Sequence, residues 1–139
     1  MERIFEDYVG QLCKKHAEGH EIKTQDKSYY LVEKRILSGV PKEAPKFRLK
    51  PVVVLRDSNS TLVIDTKWKL LTNNSKGNYG ILQSDMYQLY AYGKKYTLKD
   101  KSLRLILLYP KNKHFTSPLD NFIYDGDLVL GLEEWCLLI

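Results

Sequence analysis

The chain has 139 residues, 43% hydrophobic and 28% charged, a size and balance that fit one globular domain able to bury its own core. Its 22 Lys and Arg against 17 Asp and Glu leave a net charge of +5, which favours a polyanionic partner because neutralised phosphates release their counterions. No apolar run approaches the roughly 20 residues of a membrane-spanning helix. Met1 to Asp7 mixes charged and apolar residues without a signal-peptide pattern, so no membrane role and a cytoplasmic location are expected.

Ile4, Phe5, Tyr8, Val9, Leu12 and Cys13 recur at helical spacing, predicting an amphipathic helix over 3–17 that Gly19 closes. A strand-like run follows at 28–33, and the basic, proline-punctuated stretch 38–45 reads as a loop. Two strands are predicted at 47–56 and 61–70, paired as an antiparallel hairpin through the turn residues Asp57, Ser58, Asn59 and Ser60. Residues 72–80, rich in Asn, Ser, Gly and Lys, read as a mobile loop. Ser84 is positioned to cap a helix through Tyr96, with Asp85 at the positive end of its dipole. Leu103 to Tyr109 is a further apolar strand, and a short one is expected at 122–124. The chain ends on apolar residues, Trp135 to Ile139, which reads as a piece of a longer protein or an end packed on a partner. Helix, three strands, helix and strand in that order predict an α/β or α+β domain with a mixed sheet.

The basic excess gathers at Lys42, Lys46, Arg48 and Lys50, then from Lys94 to Arg104, then at Lys111 and Lys113. Cys13 and Cys136 lie near opposite ends and read as reduced thiols. His16 and His20 have a metal-compatible spacing, but no third ligand accompanies them and Gly19 interrupts the helix, so zinc is not expected. Glu133 and Glu134 read as a solvated like-charged pair.

The segment that carries chemistry is Leu62-Val63-Ile64-Asp65-Thr66-Lys67-Trp68-Lys69. Alternation along a strand puts Asp65 and Lys67 on one face. The carboxylate can hold a divalent cation, the ammonium can steady charge on a phosphate, and the Thr66 carbonyl can add an oxygen ligand. A cross-strand salt pair is the bland alternative. In the following helix, Gln88 and Tyr92 stand four residues apart and share a face.

Taken together, Leu49-Lys50-Pro51, the Asp65–Lys67 strand, the run Ser84-Asp85-Met86-Tyr87-Gln88-Leu89-Tyr90-Ala91-Tyr92 and Ile4-Phe5-Glu6-Asp7-Tyr8-Val9 resemble the McrC nuclease subunit of McrBC restriction enzymes, over roughly residues 3–110. The resemblance implies an α/β fold of the PD-(D/E)XK restriction-endonuclease type, a mixed sheet flanked by helices, in one domain over 1–139 that lacks the family's N-terminal motor-contacting region. It implies a magnesium-dependent endonuclease acting on double-stranded DNA beside an McrB-like AAA+ GTPase, in a system that recognises modified cytosine. By the same resemblance Glu6 is a helix-borne acid near the site, Asp65 a metal ligand and Lys67 the catalytic lysine, while Gln88 and Tyr92 match a RecB-like helix motif. The family places an aspartate directly after the strand proline, yet Pro51 is followed by Val52, which offers magnesium no oxygen. The expectation is therefore an impaired enzyme. The alternatives are a catalytically silent nuclease-fold module that binds DNA or a motor partner, and a repair nuclease of the same fold.

Overall fold

The computed structural model describes residues 1–32, 46–72, 74–98, 101–117, 119–123 and 129–135. The expected loop at 38–45, Tyr124, Cys136 and the last apolar residues lie outside them, as do the side chains of Glu133 and Glu134.

Helix α1 (Glu2–His16) buries Phe5, Val9 and Gly10. Ile4, expected on that stripe, is 59% exposed, so the buried face is narrower than the periodicity suggested. Ala17 ends the helix by bonding back to the Cys13 carbonyl, and Gly19, at φ +78°, then makes the left-handed turn into the first strand.

That strand, β1 (Glu21–Thr24), was not anticipated, although its exposure alternates with the period of two expected at a sheet edge. The run at 28–33 shortens to β2 (Tyr30–Val32), which pairs with β3 (Lys46–Arg48) in a separate two-stranded ribbon. The strand predicted over 47–56 is in fact two, β3 and β4 (Val53–Arg56), in different sheets. The break has a chemical cause. Leu49 donates its N–H to the Tyr29 carbonyl at 2.8 Å, completing the ribbon, and Pro51 has no N–H to continue a ladder.

The predicted hairpin joins β4 to β5 (Ser60–Thr66) in antiparallel register, Val53 opposite Ile64 and Arg56 opposite Thr61. Asp57 closes it by accepting the Asn59 and Ser60 N–H groups at 2.7 Å each. Part of the expected loop after β5 is a 3₁₀ segment, Ser75–Gly80.

Helix α2 (Gln83–Tyr96) carries the chain to β6 (Ser102–Pro110), which lies parallel to β5. Ser84 does not cap it. The N-cap position is Leu82, without a side-chain bond, and Ser84 falls inside the first turn. β7 (Leu119–Ile123) and β8 (Val129–Trp135) complete a six-stranded mixed sheet in the order β1-β4-β5-β6-β8-β7, with β8 parallel to β6. β8 was also unanticipated.

Each face of the sheet has its own core. On one, Leu89, Tyr92 and Tyr96 of α2 pack on Val54, Val63, Leu105 and Leu107. On the other, Phe5 and Val9 of α1 pack on Val53, Ile64, Ile106 and Leu108. Residues 105–110 of β6 are all buried, as expected of a central parallel strand covered on both faces.

One buried polar contact ties the end of α2 to the turn after β1: the Tyr96 hydroxyl donates to Asp26 at 2.6 Å. Burial pushes the Asp26 carboxyl up, but hydrogen bonds from Ser28 and Tyr96 outweigh it and hold the group below its ordinary value. A depressed carboxylate adds stability above the unfolded-state pKa and loses it as pH falls through the folded value. Tyr96→Phe should therefore cost about 1–3 kcal/mol in urea unfolding at pH 7, and the penalty should shrink below pH 3.8. An equal penalty at both pH values would mean that the Asp26 anion is not what Tyr96 stabilises.

Candidate functional site

The sheet order delivers the chemical residues to one end of β5. Asp65 is the second-last residue of that strand, opposite Leu107 of β6, and is 4% exposed. Residues just beyond a parallel strand's carboxyl end are where open α/β sheets hold ligands. Lys67, one step past the strand, donates its backbone N–H to Leu108 at 3.0 Å, which fixes where its side chain starts. Its ammonium lies 3.1 Å from Asp65 Oδ2 and donates to Gln88 Oε1 of α2 at 2.8 Å.

Gln88 and Tyr92 thus turn toward the strand, as their shared helix face suggested. Tyr92 is 1% exposed, with hydrogen bonds to the Lys50 backbone and the Gln88 side chain. Burial, followed by the Asp65 charge, raises its hydroxyl far above the ordinary value, so it works here as a neutral hydrogen-bonding group. Asp65 is itself raised, by burial first and partly by Asp85, against the opposing pull of Lys67. Lys67 is raised because Asp65 and Asp85 outweigh the burial that would lower it. The Thr66 side chain is buried, and its hydroxyl has no hydrogen-bond partner.

Glu6 approaches from the other side. It lines a pocket of about 470 Å³ with Met1, Glu2, Arg3, Gln25 and Lys50. Burial first, then the Asp65 charge, raises its carboxyl, so Glu6 and Asp65 feel each other across the sheet end. A second pocket, of about 240 Å³, runs along α1 between Arg3, Glu6 and Lys14 and reaches Gln25 and Val52.

Val52 stands one residue before the Val53–Ile64 pair and Asp65 one residue after Ile64, so both lie just beyond the end of the hairpin's ladder. Its carbonyl accepts the Gln25 N–H at 2.9 Å. The side chain is 4% exposed and packs in the apolar cluster of Phe5, Val9 and Ile64. A hard divalent cation needs several oxygens. Asp65 and Glu6 remain, the cation nearest Asp65 is the chain's own lysine, and no group of three His, Cys, Asp or Glu converges on a metal position among the described residues. The residues present therefore do not make a complete magnesium site. Away from this region, His20 pairs with Asp57 at 3.3 Å.

Two participants were missed in the sequence. Lys50 contributes a backbone bond to Tyr92 and a charge beside Glu6. Asp85, read only as a dipole partner, is 8% exposed and lies 3.8 Å from the Lys67 ammonium. Its spacing held the signal, because Asp85, Gln88 and Tyr92 follow one another at three and four residues along one helix face.

The site thus lies in a mixed sheet with a helix on each face, where an Asp–Lys pair at the end of a strand is clasped by a glutamine from the crossover helix. Residues 1–110 match the McrBC 5-methylcytosine restriction system component family, and the chain belongs to that family. The fold is similar to a solved chain described as the refined half-complex from the tetradecameric assembly of Thermococcus gammatolerans McrB AAA+ hexamers with bound McrC. The TM-score is 0.62 at 16% identity, covering 99% of this chain and 28% of that one. This chain therefore spans under a third of that neighbour's length. No match is found among curated proteins. No helix among the described residues is long and apolar enough to cross a membrane.

Proposed function

We propose that this chain is the nuclease-type domain of an McrBC-type restriction system, built on a PD-(D/E)XK scaffold, in a form whose phosphodiester hydrolysis is impaired by Val52. The observation that carries the reading is the lysine clasp. Lys67 is held by Asp65 from the strand and Gln88 from the helix, and its charge and that of Asp65 are felt by Glu6, which lines two polar pockets along α1. In that place its ammonium is suited to a non-bridging phosphate oxygen, which gains charge as the phosphodiester is attacked. Tyr92 and Gln88 keep the strand and helix in register around it, and Arg3, Lys14 and Lys50 supply positive charge along the rim. The substrate is double-stranded DNA, the cation the scaffold calls for is magnesium, and the partner is an McrB-like AAA+ GTPase that finds the modified site.

The burial of Val52 also favours a second reading, a catalytically silent module that keeps the scaffold to bind DNA or the motor. The nuclease reading, and the silent reading in its DNA-binding form, require DNA affinity that depends on salt and is indifferent to sequence. Affinity for a duplex, measured across a salt series, should fall steeply as salt rises. Arg3→Ala and Lys50→Ala should each reduce the log–log slope by about 1 if those residues neutralise one phosphate apiece. A flat salt dependence, or no binding at low salt, would remove the nucleic-acid reading altogether.

A further inference from the structure

We infer that Asp85 is a positioning residue: with Asp65 and Gln88 it forms a three-oxygen cradle that holds the Lys67 ammonium between β5 and α2. An ammonium has three N–H groups. Around this one lie Gln88 Oε1 at 2.8 Å, Asp65 Oδ2 at 3.1 Å and Asp85 Oδ1 at 3.8 Å. The first two belong to the motif residues already discussed. The third comes from a residue whose position in the first turn of α2 suggests only a favourable interaction with the helix dipole.

The dipole account does not explain where the side chain goes. A carboxylate serving a helix N-terminus works well while it stays in water, yet Asp85 is 8% exposed. Burying a carboxylate costs free energy unless a cation accompanies it. Lys67, on a neighbouring element, is that cation. Two carboxylates then share one ammonium, one from the strand and one from the helix. Asp85 draws the ammonium from the α2 side while Asp65 holds it from the strand, so the lysine stays at the strand end between the two.

What the lysine does there rests on the proposed nuclease function, but the cradle can be tested without DNA, so the two can fail separately. The test is a double-mutant cycle read by urea unfolding of the full chain. Asp85→Asn should lower the folding equilibrium constant several-fold when Lys67 is present. In a Lys67→Met background the same change should have less than a roughly twofold effect or should raise the constant, because the carboxylate has lost its cation. An equal loss in both backgrounds would assign Asp85 to the helix alone and overturn the inference. Should either single variant fail to fold, the double variant decides: its folding supports the cradle, and its failure to fold contradicts it. A second readout is the nuclear magnetic resonance signal of the Lys67 ammonium, which a held lysine protects from exchange with water. It should persist in Asp85→Glu and broaden away in Asp85→Asn. A signal unchanged in Asp85→Asn would also overturn the inference.

Discussion

Replacing Val52 with Asp should turn on magnesium-dependent DNA cleavage, raising the rate by about a thousandfold or more over the unaltered chain assayed with the proposed McrB-like partner and GTP. The expectation follows from the hairpin, beyond whose last pair, Val53–Ile64, both Val52 and Asp65 lie, and from the pocket that joins position 52 to Glu6. A carboxylate there would join Asp65 and Glu6 in an oxygen set that a valine cannot complete. Val52→Ala should stay as inactive as the parent, because it opens space without adding an oxygen. Lys67→Ala in the Val52→Asp background should abolish the regained cleavage. The gain has a cost, since Val52 is packed among Phe5, Val9 and Ile64. An aspartate at that position should destabilise the metal-free fold by about 2–4 kcal/mol. Magnesium at a hundred times its dissociation constant should return about 2.7 kcal/mol of that. If Val52→Ala cleaves as well as Val52→Asp, the carboxylate is not the cause.

The largest effect on stability is expected at Phe5. Its ring is 0% exposed, and it meets the Trp68 ring edge to face with centroids 5.6 Å apart. Phe5 therefore pins α1 to the sheet and to the segment immediately after Lys67. Phe5→Ala should cost about 3–5 kcal/mol in urea or thermal unfolding, combining lost burial with the cavity left behind. In the Val52→Asp background it should also depress cleavage, because Glu6 is the next residue on the helix. A loss of less than about 1 kcal/mol would mean that α1 is not docked as described.

What the sequence revealed, and what it hid, follows from how far each signal acts along the chain. The 3.6-residue stripe of α1, the Asp57 turn and the alternation of β5 are local, and each predicted its element to within a few residues. The split of 47–56 into β3 and β4 is not local. It depends on Leu49 bonding to Tyr29, some twenty residues away, although Pro51 marked the place. β1 and β8 were missed because a four-residue edge strand and a strand close to the chain end carry little pattern of their own. At the site, spacing placed Gln88 and Tyr92 on one face of the helix. It did not say that this face would close on Lys67, which takes the parallel pairing of β5 with β6 to arrange. Asp85 went unread because a first-turn acid already had a sufficient local explanation.

The proposed function is that of an McrBC-family domain that keeps the lysine clasp of a nuclease but lacks one metal-binding carboxylate. It is tested most directly by calorimetric magnesium titration of the unaltered chain beside Val52→Asp. The unaltered chain should show no saturable binding in the millimolar range, and Val52→Asp should bind a cation there and lose that binding when Asp65 is changed to Asn. Saturable magnesium binding by the unaltered chain, abolished by Asp65→Asn, would contradict the claim, because the site would then be complete without position 52.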